Sequence, residues 1–246
     1  VADNANLETD VRKSWETSAK AAQSYVSSAR MPGAPSPLAS TLYLVRNGQP
    51  GVDVQGSFSG VGLRGNDSAP VALKGYKIPA GDVLTEQGKG ADGMLQVVLP
   101  WFVVGTSAMS HGLCLKAIEL TSSHMQGAGI DFTSQKLRDL PNLRARLADM
   151  AVATDRSRAL LGYTVGEMER PDAMTPLRVL QSRRSAVDTA VNVTDLAMKA
   201  CGGAVFSQHL PVERLFRDAR AGWVMAPTVD HLDDFMGKAL TGLPLF

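Results

Sequence analysis

The chain has 246 residues, 44% of them hydrophobic, enough for one large core or two smaller ones. With 25 basic and 24 acidic residues the net charge is +1, so no electrostatic capture of nucleic acid or of an anionic membrane is expected. The two cysteines, Cys114 and Cys201, are far apart, which excludes a disulfide framework or a Cys-x-x-Cys metal knuckle and points to a reducing, cytoplasmic setting. The N-terminal VADNANLETD is polar and acidic, unlike a secretory signal.

Composition changes near residue 85. Before it, apolar residues come in short runs at Ser24–Ala29, Thr41–Val45, Val52–Val54 and Pro70–Leu73, separated by MPGAPSP, RNGQPG and GSFSG. Short runs bounded by Pro, Gly and Asn predict strands joined by turns, with the Asn-Gly of RNGQPG as good turn chemistry. After residue 85 the spacing becomes helical. A first long helix is predicted from Gly90 to about Met125. A second starts near Leu140–Pro141, with Leu143, Leu147, Met150, Ala151 and Thr154 recurring at three- and four-residue steps, and runs to about Arg170. A third follows RPDAMTP and ends at Cys201, where Gly202 and Gly203 stop it. Two shorter helices are predicted at Pro211–Ala221 and Pro227–Leu240. The longest apolar run, Met94–Met109, is shorter than a bilayer span, carries Pro100 and continues with helical spacing, so it reads as a buried bundle helix and not a membrane segment.

Most local motifs carry no chemistry. GVGLRG (Gly60, Gly62, Gly65) matches a dinucleotide fingerprint, but NDSAPVALKGYKIP follows it and reads as turn and strand, where a helix is required. His111, His124, His209 and His231 have no acidic or cysteine partners at ligand spacing and read as helix-face or cap residues, so no metal is expected. No serine sits in Gly-x-Ser-x-Gly. Arg156, Arg158, Arg183 and Arg184 read as solvated helix faces.

An ordered set of segments is informative where single motifs are not. KSWETSAKAAQSYVSSAR (Lys13–Arg30), then LYLVRNGQPGVDV with GVGLRGNDSAPVALKGYKIPAGDVL, then EQGKGADGML, then CGGAVFSQHLPVERLFRDARA (Cys201–Ala221) follow one another through nearly the whole chain. Together they resemble the acyl-CoA dehydrogenase family, whose members carry K-x-W-[IV]-T-[NS] on a flavin-side strand and P-V-E-[KR]-x-x-R-D-A before the catalytic loop. The resemblance implies an α+β fold: a partial antiparallel middle β-domain over residues 1–85 and an up-down helical bundle over residues 86–246. It implies FAD as cofactor and an acyl-CoA or related thioester as substrate. Trp15 would pack beside the isoalloxazine and Thr17 would hydrogen-bond near flavin N5. Gly202 and Gly203 would let the backbone approach the FAD of a neighbouring subunit, Thr228 belongs to the same cofactor set, and the backbone N–H of Ala226 would meet the thioester oxygen.

The same resemblance exposes three departures. The family's N-terminal helical domain is absent, which implies a fragment, a homo-oligomer or a partner chain that supplies it. The family's catalytic Glu-Gly-Thr is Ala226-Pro227-Thr228 here, and a methyl group cannot act as a general base. The alternative base position, in Leu99–Val104, is wholly apolar. Asp230 is the nearest carboxylate and reads better as a helix-start residue. Finally, HMQGAGIDFTSQ lacks the arginine that touches FAD pyrophosphate in the family, Pro141 stands for its glutamine and Arg183 for its lysine, which implies weakened cofactor affinity. The expected activity is therefore that of an acyl-CoA dehydrogenase-like flavin oxidoreductase lacking its usual base. The alternatives are oxygenation or elimination on the same fold, or a catalytically silent subunit completing a partner's site.

Overall fold

The computed structural model describes residues 7–36 and 38–244. Part of the polar N-terminal stretch therefore lies outside the described residues. The chain divides into two compact units, residues 1–99 and 100–246.

The first unit holds five strands: β1 (Leu7–Glu16), β2 (Ser24–Arg30), β3 (Ser40–Arg46), β4 (Val52–Val54) and β5 (Ala69–Ile78). All pairings are antiparallel, with a three-stranded sheet in the order β1-β5-β4 and a β2-β3 hairpin ladder. Tyr25, Tyr43, Val45, Val71, Leu73 and Tyr76 form the core of this unit. Arg46 and the buried Asp82 make a two-point ion pair, Nε to Oδ2 at 2.8 Å and Nη2 to Oδ1 at 2.6 Å, which ties the end of β3 to the turn after β5. Among the described residues no helix lies between Lys13 and Leu73, and GVGLRG is loop and turn leading into β5.

Helix follows from Gly90. A first turn, α1 (Gly90–Gly93), passes through a π-helical turn at Met94–Val98 into α2 (Leu99–Gly127). The second unit continues with α3 (Pro141–Glu169), α4 (Thr175–Cys201), α5 (Val212–Ala219), α6 (Ala221–Val224) and α7 (Val229–Thr241). Proline opens both α3 and α4, where its missing N–H costs no helical bond. Gly202 ends α4 at φ +60°, a conformation that side chains with a Cβ rarely adopt. The bundle core joins Cys114 and Ala117 of α2, Met150 of α3, Ala190, Val193 and Ala197 of α4, and Val212 and Leu215 of α5. Within the bundle the close backbone neighbours of α4 are α3, α5 and α7.

Two readings of the sequence are corrected. Arg183 is not on a solvated face but is 1% exposed, the largest fully buried side chain of the chain. The apolar helix through Met94–Met109 is buried on one side only. As part of Gly90–Gly127 it is long and apolar enough to cross a membrane by length and composition, with 28% of its most apolar window buried.

Candidate functional site

β1 ends at Glu16 beside a register shift between Lys13 and Glu16. Such an irregularity rephases side-chain alternation, and here Lys13 and Glu16 both turn inward. With Tyr25, Ser27, Val45, Val71 and Leu73 they line a small cavity of about one water's size. Burial lowers the Lys13 pKa and raises that of Glu16. Trp15 is left outside at 64% exposure, its ring edge-on to Phe58 with centroids 5.8 Å apart. It is not a core aromatic. Thr17, the first residue of the following turn, is also exposed.

In the helical unit, Gly202 and Gly203 are both exposed, and a Cβ built on either meets no atom within 4 Å. The segment after them packs Val205 into the core and leaves Phe206 exposed. α5 carries the Arg-Asp-Ala triplet, with Arg217 held by Glu213 one turn earlier on the same helix at 2.7 Å. Arg220 spans to α4 through Asp195 at 2.6 Å and Thr194 at 2.8 Å.

The loop between α6 and α7 is Met225-Ala226-Pro227-Thr228. Ala226 is exposed, and the Ala226–Pro227 peptide bond is cis. Thr228 is the N-cap of α7: its hydroxyl accepts the His231 N–H at 3.4 Å and lies 3.1 Å from His231 Nδ1. Asp230 sits exposed in the first turn of α7, the helix-start placement read from the sequence. Behind the loop lies Arg183 of α4. Its Nη2 donates to the Met225 carbonyl at 3.1 Å, its Nη1 donates to Thr106 Oγ1 at 2.6 Å, and the guanidinium carbon lies 5.2 Å from the centre of the Phe102 ring. Nε has no partner, and among the described residues Arg183 forms no ion pair. Burial alone lowers its pKa.

The remaining titratable groups of the bundle interior are structural in placement. His111 Nε2 lies 2.9 Å from Ser157 Oγ, which also accepts from Ser185 at 3.1 Å. Cys114 is a buried thiol whose pKa is pushed up to about 11, and Cys201 is likewise buried and free. Among the described residues no three His, Cys, Asp or Glu side chains are placed to hold a metal ion.

The fold is that of acyl-CoA dehydrogenases. Butyryl-CoA dehydrogenase from Megasphaera elsdenii superimposes with a TM-score of 0.90 at 22% identity, covering 97% of this chain and 61% of that one. The family model described as acyl-CoA dehydrogenase, C-terminal domain, matches residues 88–228. The chain belongs to the acyl-CoA dehydrogenase family. Among curated relatives, a cyclohex-1-ene-1-carbonyl-CoA dehydrogenase of Geobacter metallireducens is 26% identical over 200 residues, 81% of this chain and 52% of the relative. The amino sugar nitrososynthase RubN8 of Streptomyces rubradiris is 26% identical over 239 residues, 93% of this chain and 56% of the relative. The chain thus spans about half the length of the curated relatives it matches.

Proposed function

We propose that this chain contributes the β unit and helical bundle of a cytoplasmic FAD-dependent oxidoreductase that binds an acyl-CoA or related thioester, with Ala226 in the place of the usual catalytic glutamate. The observation that carries the reading is the Met225–Thr228 loop, which presents an exposed backbone at Ala226 and no proton acceptor in its side chains.

Each unit, taken by itself, carries features that fit a flavin nucleotide, the glycine pair toward that of a neighbouring subunit. The Trp15 indole is largely exposed yet fixed at its edge by Phe58, which suits it to pack beside an aromatic ring system. Thr17 follows on the exposed turn with a free-standing hydroxyl side chain. Gly202 and Gly203 present backbone without side chains at a helix end, open to close approach by a phosphate-bearing ligand. Thr228 is committed to capping α7, so its part toward the cofactor is to fix the loop and not to donate freely. The flavin, when bound, supplies the hydride-accepting chemistry. The chain's own contribution at the thioester is a hydrogen bond from the Ala226 N–H, which orients the carbonyl. No residue of the loop removes the α-proton, so α,β-dehydrogenation is slow.

Oxygenation or elimination on the same scaffold is the second reading. It is favoured by the likeness to RubN8 across 93% of the chain together with the missing base. In a third, the chain is a silent subunit that completes a partner's site.

The test is the visible absorption spectrum of the purified protein with added FAD, followed by anaerobic titration with acyl-CoAs. Bound flavin that bleaches slowly supports the first reading. Bound flavin that no acyl-CoA bleaches favours the other two, and absence of flavin binding with any partner sinks all three, the silent subunit included, since it would complete a partner's flavin site.

A further inference from the structure

Arg183 is an anomaly by the ordinary rules of burial. A buried cation is normally paired with a carboxylate, because an uncompensated charge in the interior is strongly unfavourable. Here the guanidinium meets only neutral groups: the Thr106 hydroxyl, the Phe102 ring and the Met225 carbonyl. The Thr106 proton is already donated to the Phe102 carbonyl at 2.7 Å, so its oxygen accepts from the guanidinium. None of these groups carries a charge that would cancel the field of Arg183.

That field has one conjugated outlet. The Met225 carbonyl and the Ala226 N–H belong to the same peptide group, whose C–N bond has partial double-bond character. A charge-assisted donor on the oxygen draws electron density from the nitrogen side and makes the N–H a stronger donor. Among the described residues the Ala226 N–H has no acceptor. We infer that Arg183 is a positioning residue that polarises the Met225–Ala226 peptide and so strengthens the hydrogen bond from the Ala226 N–H to the carbonyl oxygen of a bound thioester. Any acyl thioester with an unhindered carbonyl is recognised in this way, through the carbonyl and not through the acyl tail. The inference rests on the thioester reading above and deepens it. It also accounts for a buried charge that stability alone does not explain.

The experiment uses the full chain with FAD and any co-purifying partner, with butyryl-CoA and isovaleryl-CoA carrying 13C at the carbonyl. Isothermal titration gives affinity, and infrared difference spectra give the downshift of the labelled C=O band. Wild type should show a downshifted band. Arg183→Lys, which keeps a charged donor, should stay near wild type. Arg183→Gln and Arg183→Met should bind about tenfold more weakly, the step expected on losing a charge-assisted hydrogen bond, with the band moving back toward its value in water. At the same time Arg183→Met should melt no lower than wild type, since it removes the desolvation cost of an unpaired buried charge. A purely structural arginine predicts the reverse: a lower melting temperature and an unmoved band. Should Arg183→Met not fold, Arg183→Gln decides alone. Equal affinity and band position in wild type and the Gln variant overturns the inference and leaves the thioester reading intact. Wild type that binds neither thioester overturns both.

Discussion

Ala226 stands exposed on a loop whose backbone is fixed from behind by Arg183 and from ahead by the Thr228 cap. A positioned general base contributes about 10² to 10⁴-fold in rate. With FAD bound, Ala226→Glu is expected to raise the rate of anaerobic flavin bleaching by acyl-CoA within that range, and Ala226→Glu with Pro227→Gly to do so if Pro227 turns the new carboxylate away. Wild type bleaching as fast as both variants would place the base elsewhere, with Asp230 the next candidate. A second residue-scale effect concerns His111. Burial, with the Arg158 charge adding to it, holds the imidazole below its ordinary pKa. The folded state therefore binds that proton less readily than the unfolded chain, whose histidine titrates near about 6.5. The sign follows: stability is full above that pH and falls as pH drops from it through the lowered folded value. Melting curves between pH 8 and pH 5, both working values for about this titration range, should show the slope in wild type and a flatter one in His111→Gln. Legibility at this scale was uneven. Arg183 follows Val179 and Leu180 and precedes Ala186 and Val187, all buried, so it stands at an inward position of α4. Its charge argued for solvent and its spacing argued for the core, and spacing wins when two acceptors are within reach.

Elements were legible wherever burial is one-sided and periodic. The α3 and α4 bounds fall close to those read from Pro141, Cys201 and the glycine pair, because prolines at helix starts and a positive-φ glycine at the end are local signals. β4 coincides with the predicted Val52–Val54. β1 alternates at least partly buried Leu7, Thr9, Val11 and Lys13 with exposed Glu8, Asp10, Arg12 and Ser14, but only Thr9 is fully buried and the strand lies at the edge of its sheet, so the apolar signal is weak and resemblance alone pointed to its end. β5 was read as a strand within NDSAPVALKGYKIP with its apolar run only at Pro70–Leu73, because Lys74, Gly75 and Lys77 interrupt that run. The chain there follows a register shift opposite Val11, where Asp10 Oδ1 accepts the Gly75 N–H at 2.8 Å. The turn between β3 and β4 has its own constraint at Gly51, which lies against β5. Its φ is +87°, and a Cβ would lie 2.7 Å from the Lys74 carbonyl oxygen. Gly51→Ala should therefore destabilise the β unit by more than about 1 kcal/mol, measured as a lower denaturant midpoint. An unchanged midpoint would mean that the turn relaxes freely. At the other end of the chain, Thr228→Ala removes the cap of α7 and is expected to cost about 0.5–2 kcal/mol in the same assay, with Thr228→Ser restoring most of it.

Surface is the last quantity that the chain leaves unbalanced. α2 and the turn before it expose Val97 at 58%, Trp101 at 69% and Met109 at 39%, and α3 exposes Val152 and Tyr163. Scattered apolar residues are ordinary on a protein surface, but a helix with this share of exposed apolar length asks for a cover. Lipid and protein are both chemically able to provide one, since the Gly90–Gly127 helix satisfies the length and composition of a membrane span. The rest of the helix argues for protein. Its inward face carries Ser107, Ser110 and His111, all buried, and its second half carries Lys116 and Glu119 paired at 2.6 Å. A span with that charge content at mid-length is costly in hydrocarbon, whereas the same face suits a neighbouring helix. The chain is therefore expected to associate, either with itself or with a protein partner that presents a helix to this face. The contact should bury well over about 1,000 Å² in total, the threshold of a specific interface. Sedimentation velocity at micromolar concentration should show a species larger than the monomer, and Trp101→Lys should shift it toward the monomer without lowering the melting temperature of the bundle core, to which Trp101 does not belong. Vesicle flotation separates the two covers: a protein-covered face leaves the chain at the bottom of the gradient, and flotation with neutral vesicles would mean that lipid covers α2 instead. A compact monomer that neither floats nor binds a partner would show that this apolar face is tolerated bare.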